Sequence, residues 1–400
     1  MEQTGNPPGI RLLFTGLLPF FVIAHFAHHL LTALPIPLLP MIRSDFNLDY
    51  AQSGWVISAF NLAYGIGQLP AGWMADRIGP RILITIGICG VALAGFFVGL
   101  SHTFVLMLFF LALMGFLGGG YHPSSPPLIS TLVEPRYQGQ ALGLHVVGGG
   151  ASYFLAPLIA AAIASIFGWR GSFIGLAVPT ILFGIYFYII LGKSAASGPG
   201  ILRTKASFQE EPVSRGQTRN LAIFIFLSTF TGAVIFSTVS FIPLYLVDHF
   251  GLSKANAGAW FAFLYSAGLW VGPIGGYLSD RWGRIPIILL VCFLAGPIIY
   301  LFHLAPGPGS IIFLLLLIGI IIYVRMPVSE SYIIKKASPR NRSTILGIYF
   351  FSSMEGGGIL TPVMGHLIDH FGFGYGFTIA GAALVGVTLL CGILLWGSRD

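Results

Sequence analysis

The sequence predicts an all-α membrane protein of twelve transmembrane helices in two pseudo-symmetric six-helix halves. Composition is the first reason. With 56% hydrophobic and 8% charged residues and a mean hydropathy of +0.86, the chain has too little polar surface to cover a soluble core. The second reason is an internal repeat, in which residue n and residue n+204 keep matching in chemistry. Gly72-Trp73-Met74-Ala75-Asp76-Arg77-Ile78-Gly79 recurs as Gly276-Tyr277-Leu278-Ser279-Asp280-Arg281-Trp282-Gly283, and Pro123, Leu142-Gly143 and Phe173 recur as Pro327, Leu346-Gly347 and Phe377. One register running through loops and helices marks two copies of one unit, an organisation used by secondary transporters. The third reason is the distribution of charge in the loops.

Taken in order, low-charge stretches long enough to cross about 30 Å of hydrocarbon fall at 13–39, 51–75, 82–101, 104–131, 140–166 and 172–191. A second six follow at 221–247, 256–278, 285–303, 311–333, 344–367 and 374–396. Residues 1–192 form the N-terminal half and 221–400 the C-terminal half, joined by a cytoplasmic linker at 193–220 that is rich in Ser, Gly, Lys, Arg, Glu and Gln. The first apolar stretch exceeds the length of a signal peptide core and follows a single basic residue, so the first helix is expected to be retained.

Of the 20 Lys and Arg residues, a cytoplasmic N-terminus leaves only Arg43, Arg170 and Lys254 outside and Arg325 within a span. The rest lie in cytoplasmic segments, a strong positive-inside bias that puts both termini in the cytoplasm. The net charge of +7 therefore reflects topology and attraction to anionic lipid. Nucleic-acid binding is not expected, because the basic residues are scattered over short loops. Cys89, Cys292 and Cys391 all fall in predicted spans and read as small buried hydrophobes. No Gly-x-x-x-x-Gly-Lys-Ser/Thr phosphate loop occurs, His28-His29 lacks the His-Glu-x-x-His spacing, and no Cys cluster offers zinc ligands. The expectation is therefore a chain that is not an enzyme and carries neither cofactor nor metal.

The loop after the second span, Gly72-x-x-x-Asp76-Arg77-x-Gly79-x-Arg81, sets a carboxylate at a helix end beside guanidinium groups, and Asp280, Arg281, Gly283 and Arg284 repeat it. This pair of loops resembles the signature of the major facilitator superfamily. The resemblance implies that these residues gate transport, each Asp meeting the positive N-terminal end of a helix in the opposite half. The ends concerned lie near Ser343 for Asp76 and near Gln140 for Asp280. Gly143, Ser152, Ala156 and Pro157 fall on the spacing of the superfamily's antiporter motif, with Gly143 and Pro157 identical to it. Small residues there favour close helix packing, and the motif implies export. Gly357, Thr361, Pro362 and Gly365 occupy the corresponding region of helix 11.

Helices 1, 4 and 5 resemble the fosmidomycin-resistance branch, a group of drug/proton antiporters. The resemblance rests on Ala24-His25-Phe26-Ala27-His28-His29, Gly118-Gly119-Gly120-Tyr121-His122-Pro123-Ser124-Ser125 and Gln140-Ala141-Leu142-Gly143. Ser124 stands where that branch has Glu. The location implied is the inner membrane of a prokaryotic-type cell, with the chain acting as a monomer.

Ionisable groups at membrane depth are costly and therefore point to function. Arg325 lies mid-span in helix 10 with Glu330 deeper toward the cytoplasm, and Glu355 lies mid-span in helix 11 at a depth that allows an Arg325–Glu355 ion pair. His25 has His28 and His29 at i+3 and i+4, and His122 reaches similar depth in helix 4. Arg325, His122, His25 and Tyr121 are the expected substrate contacts, and Glu355, His122 and Glu330 the expected proton carriers. Each has a structural alternative. A membrane histidine such as His28 or His145 is commonly a hydrogen-bonded packing group, Glu355 could serve as a counterion, and Asp369-His370 reads as a solvated cap. The expected function is proton-coupled export of a small polar or anionic compound by alternating access. Proton-coupled import of an organic anion and a non-transporting membrane sensor are the alternatives.

Overall fold

A computed structural model describes residues 16–133, 138–195, 215–337 and 342–398. Twelve membrane-length helical rods run through them. They are α1 (Leu18–Phe46), α2 (Tyr50–Ile78), α3 (Pro80–Leu100), α4 (Phe104–Leu132), then α5 and α6 in the run Gln138–Ala195 that breaks at Gly168. The second set is α7 (Gly216–Phe250), α8 (Lys254 to Trp282, in short segments), α9 (Arg284–Leu304) and α10 (Pro308–Lys336). The run Arg342–Leu394, broken at Gly372, gives α11 and α12.

The repeat is written into the backbone where the chain turns. Gly168 and Gly372, 204 residues apart, have φ of 69° and 79° with ψ near the extended limit, a region open essentially to glycine. Gly79 and Gly283, at the same offset, have φ of 91° and 90° where α2 gives way to α3 and α8 to α9. Asn47 and Gly251 form a third positive-φ pair. Three turns fixed by backbone sterics thus align the two copies.

Packing follows the same symmetry. The start of α1 lies along the α5–α6 rod, and α7 along the α11–α12 rod; α3 and α9 pack on the same rods. In the first copy, Phe21, Ala24, Ile84, Ile88, Tyr121 and Phe187 form one buried cluster, with the Phe21 and Phe187 rings edge to face at 5.1 Å. Outward rows on the sixth and twelfth helices also correspond: Ile185 and Ile189 are matched by Leu389 and Ile393, all exposed. Large aliphatic side chains in such rows suit a lipid surface, where no water penalises them.

By packing, the described residues divide into two units, one holding those up to 35 and from 63 to 195, the other holding 36–62 and those from 215 on. The second unit therefore includes the end of α1 and the start of α2. There Arg43 pairs with Asp248 of α7, and the Tyr50 hydroxyl donates to the same carboxylate. Asp369, expected to be a solvated cap, is exposed and caps a different helix, accepting from the Tyr50 N–H at 2.9 Å and the Ala51 N–H at 2.8 Å. A carboxylate is favoured there because the first N–H groups of α2 have no partner within their own helix and the helix dipole is positive at that end. Below it, α2 and α11 touch through Gly54, Gly358 and Gly365, whose missing side chains leave room for backbone and for Leu62, and Ser58 Oγ donates to Gly358 O at 2.6 Å.

Candidate functional site

Local breaks in α3 and α4 build the first cluster. Residues Ile86–Gly90 of α3 form a π turn, and such turns free backbone groups from the helical ladder. The freed role falls to Gly87, whose carbonyl accepts from His28 Nδ1 at 2.8 Å. In α4 the helix is interrupted at Gly119–Gly120 and restarts at Tyr121, and Pro123 has no N–H to return to Gly119. This restart directs Tyr121 and His122 into the unit interior beside α1.

Five imidazoles meet there: His25, His28 and His29 from α1, His122 from α4 and His145 from α5. His25 stacks on His145 with ring centroids 4.2 Å apart, and His28 stacks on Tyr121 at 4.5 Å. Because a carbonyl can only accept, the partners fix the protons. His25 donates from Nδ1 to His145 O at 2.7 Å, which leaves Nε2 as a lone-pair acceptor; that atom is buried and has no hydrogen-bond partner. His28 Nε2 accepts from the Tyr64 hydroxyl at 3.2 Å. With the Thr32 Oγ1 proton turned to His29 O, His29 Nδ1 donates to Thr32 at 3.1 Å and His29 Nε2 is an acceptor. Facing it at 3.2 Å is His122 Nε2, which must then be the donor. His145 Nε2 is held by Tyr121 Oη at 3.1 Å and Ser125 Oγ at 3.3 Å.

The second unit holds a different cluster. Arg325 is 8% exposed in α10, and its Nη1 donates to Ser228 O at 2.7 Å and to Ser228 Oγ at 2.8 Å. Ser228 Oγ also meets Ser329 Oγ at 2.7 Å and Tyr349 Oη at 3.4 Å. Arg325 Nε is buried and has no partner. The expected Arg325–Glu355 ion pair is not formed. The short hydroxyl of Ser228, one helix away on α7, takes the guanidinium instead, and Glu355 Oε1 is itself buried without a partner. Glu330 lines a cavity of about 470 Å³ with Arg284, Pro327, Ser331, Ile334 and Lys335.

His25, His122 and Tyr121 are thus brought together in one unit, while Arg325, Glu330 and Glu355 belong to the other. Sequence reasoning missed the part His29 and His145 play. A signal was present, since Tyr121, Ser125 and His145 sit 204 residues before Arg325, Ser329 and Tyr349, the members of the second cluster.

Among the residues expected to gate, Arg77 lies over the Trp73 ring at 3.9 Å and Arg81 over the Tyr188 ring at 3.7 Å, with Arg81 Nε donating to Tyr188 O at 3.0 Å. Arg284 Nε donates to Ser331 Oγ at 2.8 Å, and Arg281 meets its helical neighbour Tyr277 at 3.5 Å. The side chains of Asp76, Asp280, Gln140 and Ser343 lie outside what the structure describes. In α5, Ser152, Ala156 and Pro157 are buried as close packing requires. Gly143 differs from that expectation, because a side chain added there would meet open space. The tight approaches of α5 are one to two turns further on, at Gly148 against the Val22 backbone and Gly149 against His25.

Two repeated six-helix copies with lipid-facing outer rows and buried polar clusters define a multi-pass membrane transporter, not an enzyme. The chain belongs to the Major Facilitator Superfamily, whose sequence model matches residues 21–362. It is 25% identical over 374 residues to the cis,cis-muconate transport protein of Acinetobacter baylyi, covering 89% of this chain and 87% of the relative. It is 26% identical over 364 residues to the fosmidomycin resistance protein of Escherichia coli, again covering 89% and 87%. The fold is shared with a bacterial homologue of the human lysosomal transporter Spinster, solved inward-facing and occupied, at a TM-score of 0.77 and 17% identity over 98% of this chain and 97% of that one.

Proposed function

We propose that this protein is a proton-coupled secondary transporter that exports a small organic anion across the inner membrane by alternating access. The observation that carries the reading is Arg325, a permanently charged fork buried in α10 with an Nε–H that has no hydrogen-bond partner and no ion pair among the described residues. Such a group is costly at membrane depth unless an anion offsets it, and its planar fork suits carboxylate or phosphonate oxygens. The muconate transport protein and the fosmidomycin resistance protein support this chemistry, since a dicarboxylate and a phosphonate both present such oxygens. The coupled proton is assigned to Glu355, whose buried Oε1 gains a donor when protonated. With both termini cytoplasmic, the Arg43–Asp248 pair and the Asp369 cap lie at the outer face, where they act as the outer gate.

Import of an organic anion is the second reading. It is favoured by the degenerate antiporter pattern, in which only Gly143 and Pro157 keep the motif's residues. The test is counterflow into proteoliposomes with labelled cis,cis-muconate and a panel of small carboxylates and phosphonates, with and without an imposed pH gradient. Accumulation that needs the gradient supports proton coupling, and the sign of the effective gradient assigns direction. Flux driven by sodium and indifferent to pH refutes the proposal.

A further inference from the structure

Three of the clustered imidazoles bring ring nitrogens close to one another. In His25, His29 and His122 one ligand nitrogen from each ring lies within 4.8 Å of the other two. His29 and His122 approach to 3.2 Å, close to the roughly 3.3 Å that separates two nitrogens on a tetrahedral zinc ion with bonds of about 2.0–2.1 Å. His25 Nε2 is the atom without a partner, on a side chain 6% exposed. A buried acceptor with nothing to accept is a standing cost. A metal ion would remove it.

The supporting atoms match what a metal site needs. A ligating imidazole holds its other nitrogen on an oxygen acceptor, which fixes the tautomer and aims the lone pair. His25 does this through His145 O and His29 through Thr32 Oγ1. The other two imidazoles are excluded as ligands, because His28 Nε2 is engaged by Tyr64 and His145 Nε2 by Tyr121 and Ser125. His122 is only part-buried, which leaves an approach to the site.

We infer that His25, His29 and His122 bind one divalent transition-metal ion through their Nε2 atoms. All-nitrogen donors select zinc, cobalt, nickel or copper over magnesium and calcium, which require oxygen. His122 carries its proton on Nε2 in the metal-free form, so binding moves that proton to Nδ1 of the same ring, with none released. Three neutral ligands leave the full charge of the ion and a fourth position, which a water or an anionic oxygen would fill. This site goes beyond the transport reading, and it stands or falls independently of Arg325 and Glu355.

The test uses full-length, tag-free protein in detergent with His366 and His370 replaced by Ala, since that exposed pair on α11, ring centroids 4.1 Å apart, is a second place for metal. Cobalt(II) chloride and zinc chloride are the probes. The expected result is one equivalent by equilibrium dialysis, with visible cobalt absorption of the low-symmetry tetrahedral type that zinc bleaches. His29→Gln and His122→Gln should each abolish the band. Thr32→Val, which removes the acceptor behind His29 while leaving all three ligands in place, should weaken binding by roughly 10–100-fold. Absence of a stoichiometric cobalt band in the otherwise intact protein overturns the inference whether or not the ligand variants fold. So does a band that persists unchanged in His29→Gln or His122→Gln.

Discussion

Tyr121 and Arg325 occupy the same position in the two copies of the repeat, 204 residues apart, and each anchors the polar cluster of its unit. Tyr121 reaches His145 and Arg325 reaches Ser228, with Ser125 and Ser329 one turn further on in each case. The two positions carry different chemistry, a neutral hydroxyl in one and a fixed positive charge in the other, and reach different partners. Under the proposed function, this asymmetry is why anion binding is put in the second unit.

Arg325→Lys is expected to weaken substrate binding, because lysine keeps the charge and loses the planar fork. Arg325→Ala should be worse by a charge-assisted hydrogen bond, about 1.5–3 kcal/mol. Calorimetric titration with whichever anion passes the counterflow screen measures both. Wild-type affinity in a folded Arg325→Ala protein would leave Arg325 as a packing partner of Ser228 and remove the case for an anionic substrate.

Replacing Glu355 by Gln keeps its shape and hydrogen-bonding capacity and removes its titration. Downhill exchange of substrate in proteoliposomes should survive, while accumulation driven by a pH gradient should be abolished. If gradient-driven accumulation persists in Glu355→Gln, the proton is carried elsewhere.

Asp369→Asn removes the charge at the N-terminus of α2, a contribution of about 0.3–2 kcal/mol, and with it part of the contact between α2 and α11. In a variant lacking the three native cysteines, Ser58→Cys reports this contact, since Ser58 is buried against Gly358. Adding Asp369→Asn should raise labelling of that cysteine by a membrane-impermeant thiol reagent from the outer side. Unchanged labelling would mean that the cap is dispensable to the gate.

Gly168→Ala and Gly372→Ala should each lower thermal stability by an equivalent of about 1–3 kcal/mol, because alanine is strained at the backbone angles both glycines adopt. Gly143→Ala is the contrasting case. It sits in a helix with open space beside it, so the substitution should be neutral or stabilising by up to about 1 kcal/mol. Melting curves of the three variants in one detergent make the comparison, and a loss at Gly143 equal to that at Gly168 would restore the close-packing role expected for it.

Helix number, repeat and turn positions were legible in the sequence because each depends on local properties. Apolar length sets a span, and a positive φ selects glycine at Gly79, Gly168, Gly283 and Gly372 whatever surrounds them. That His25, His122, Arg325 and Glu355 fall inside long apolar helices was legible for a similar reason, since burying a polar group in apolar surroundings is costly wherever it occurs. Their partners were not. Arg325 and Glu355 share a depth, yet depth along a helix says nothing of azimuth, and rotation of α10 gives the guanidinium to Ser228. The meeting of His29 with His122 depends on the α4 break at Gly119–Gly120, and the position of His28 depends on the π turn in α3. Both are backbone irregularities whose effect on side-chain direction is realised only when helices pack. Asp369 looked like a solvated cap because its own helix gives it nothing to do, and the N–H groups it satisfies belong to a segment more than 300 residues earlier in the chain. Sequence alone therefore determined which groups are buried at a cost, and the tertiary structure decided which of them offset one another.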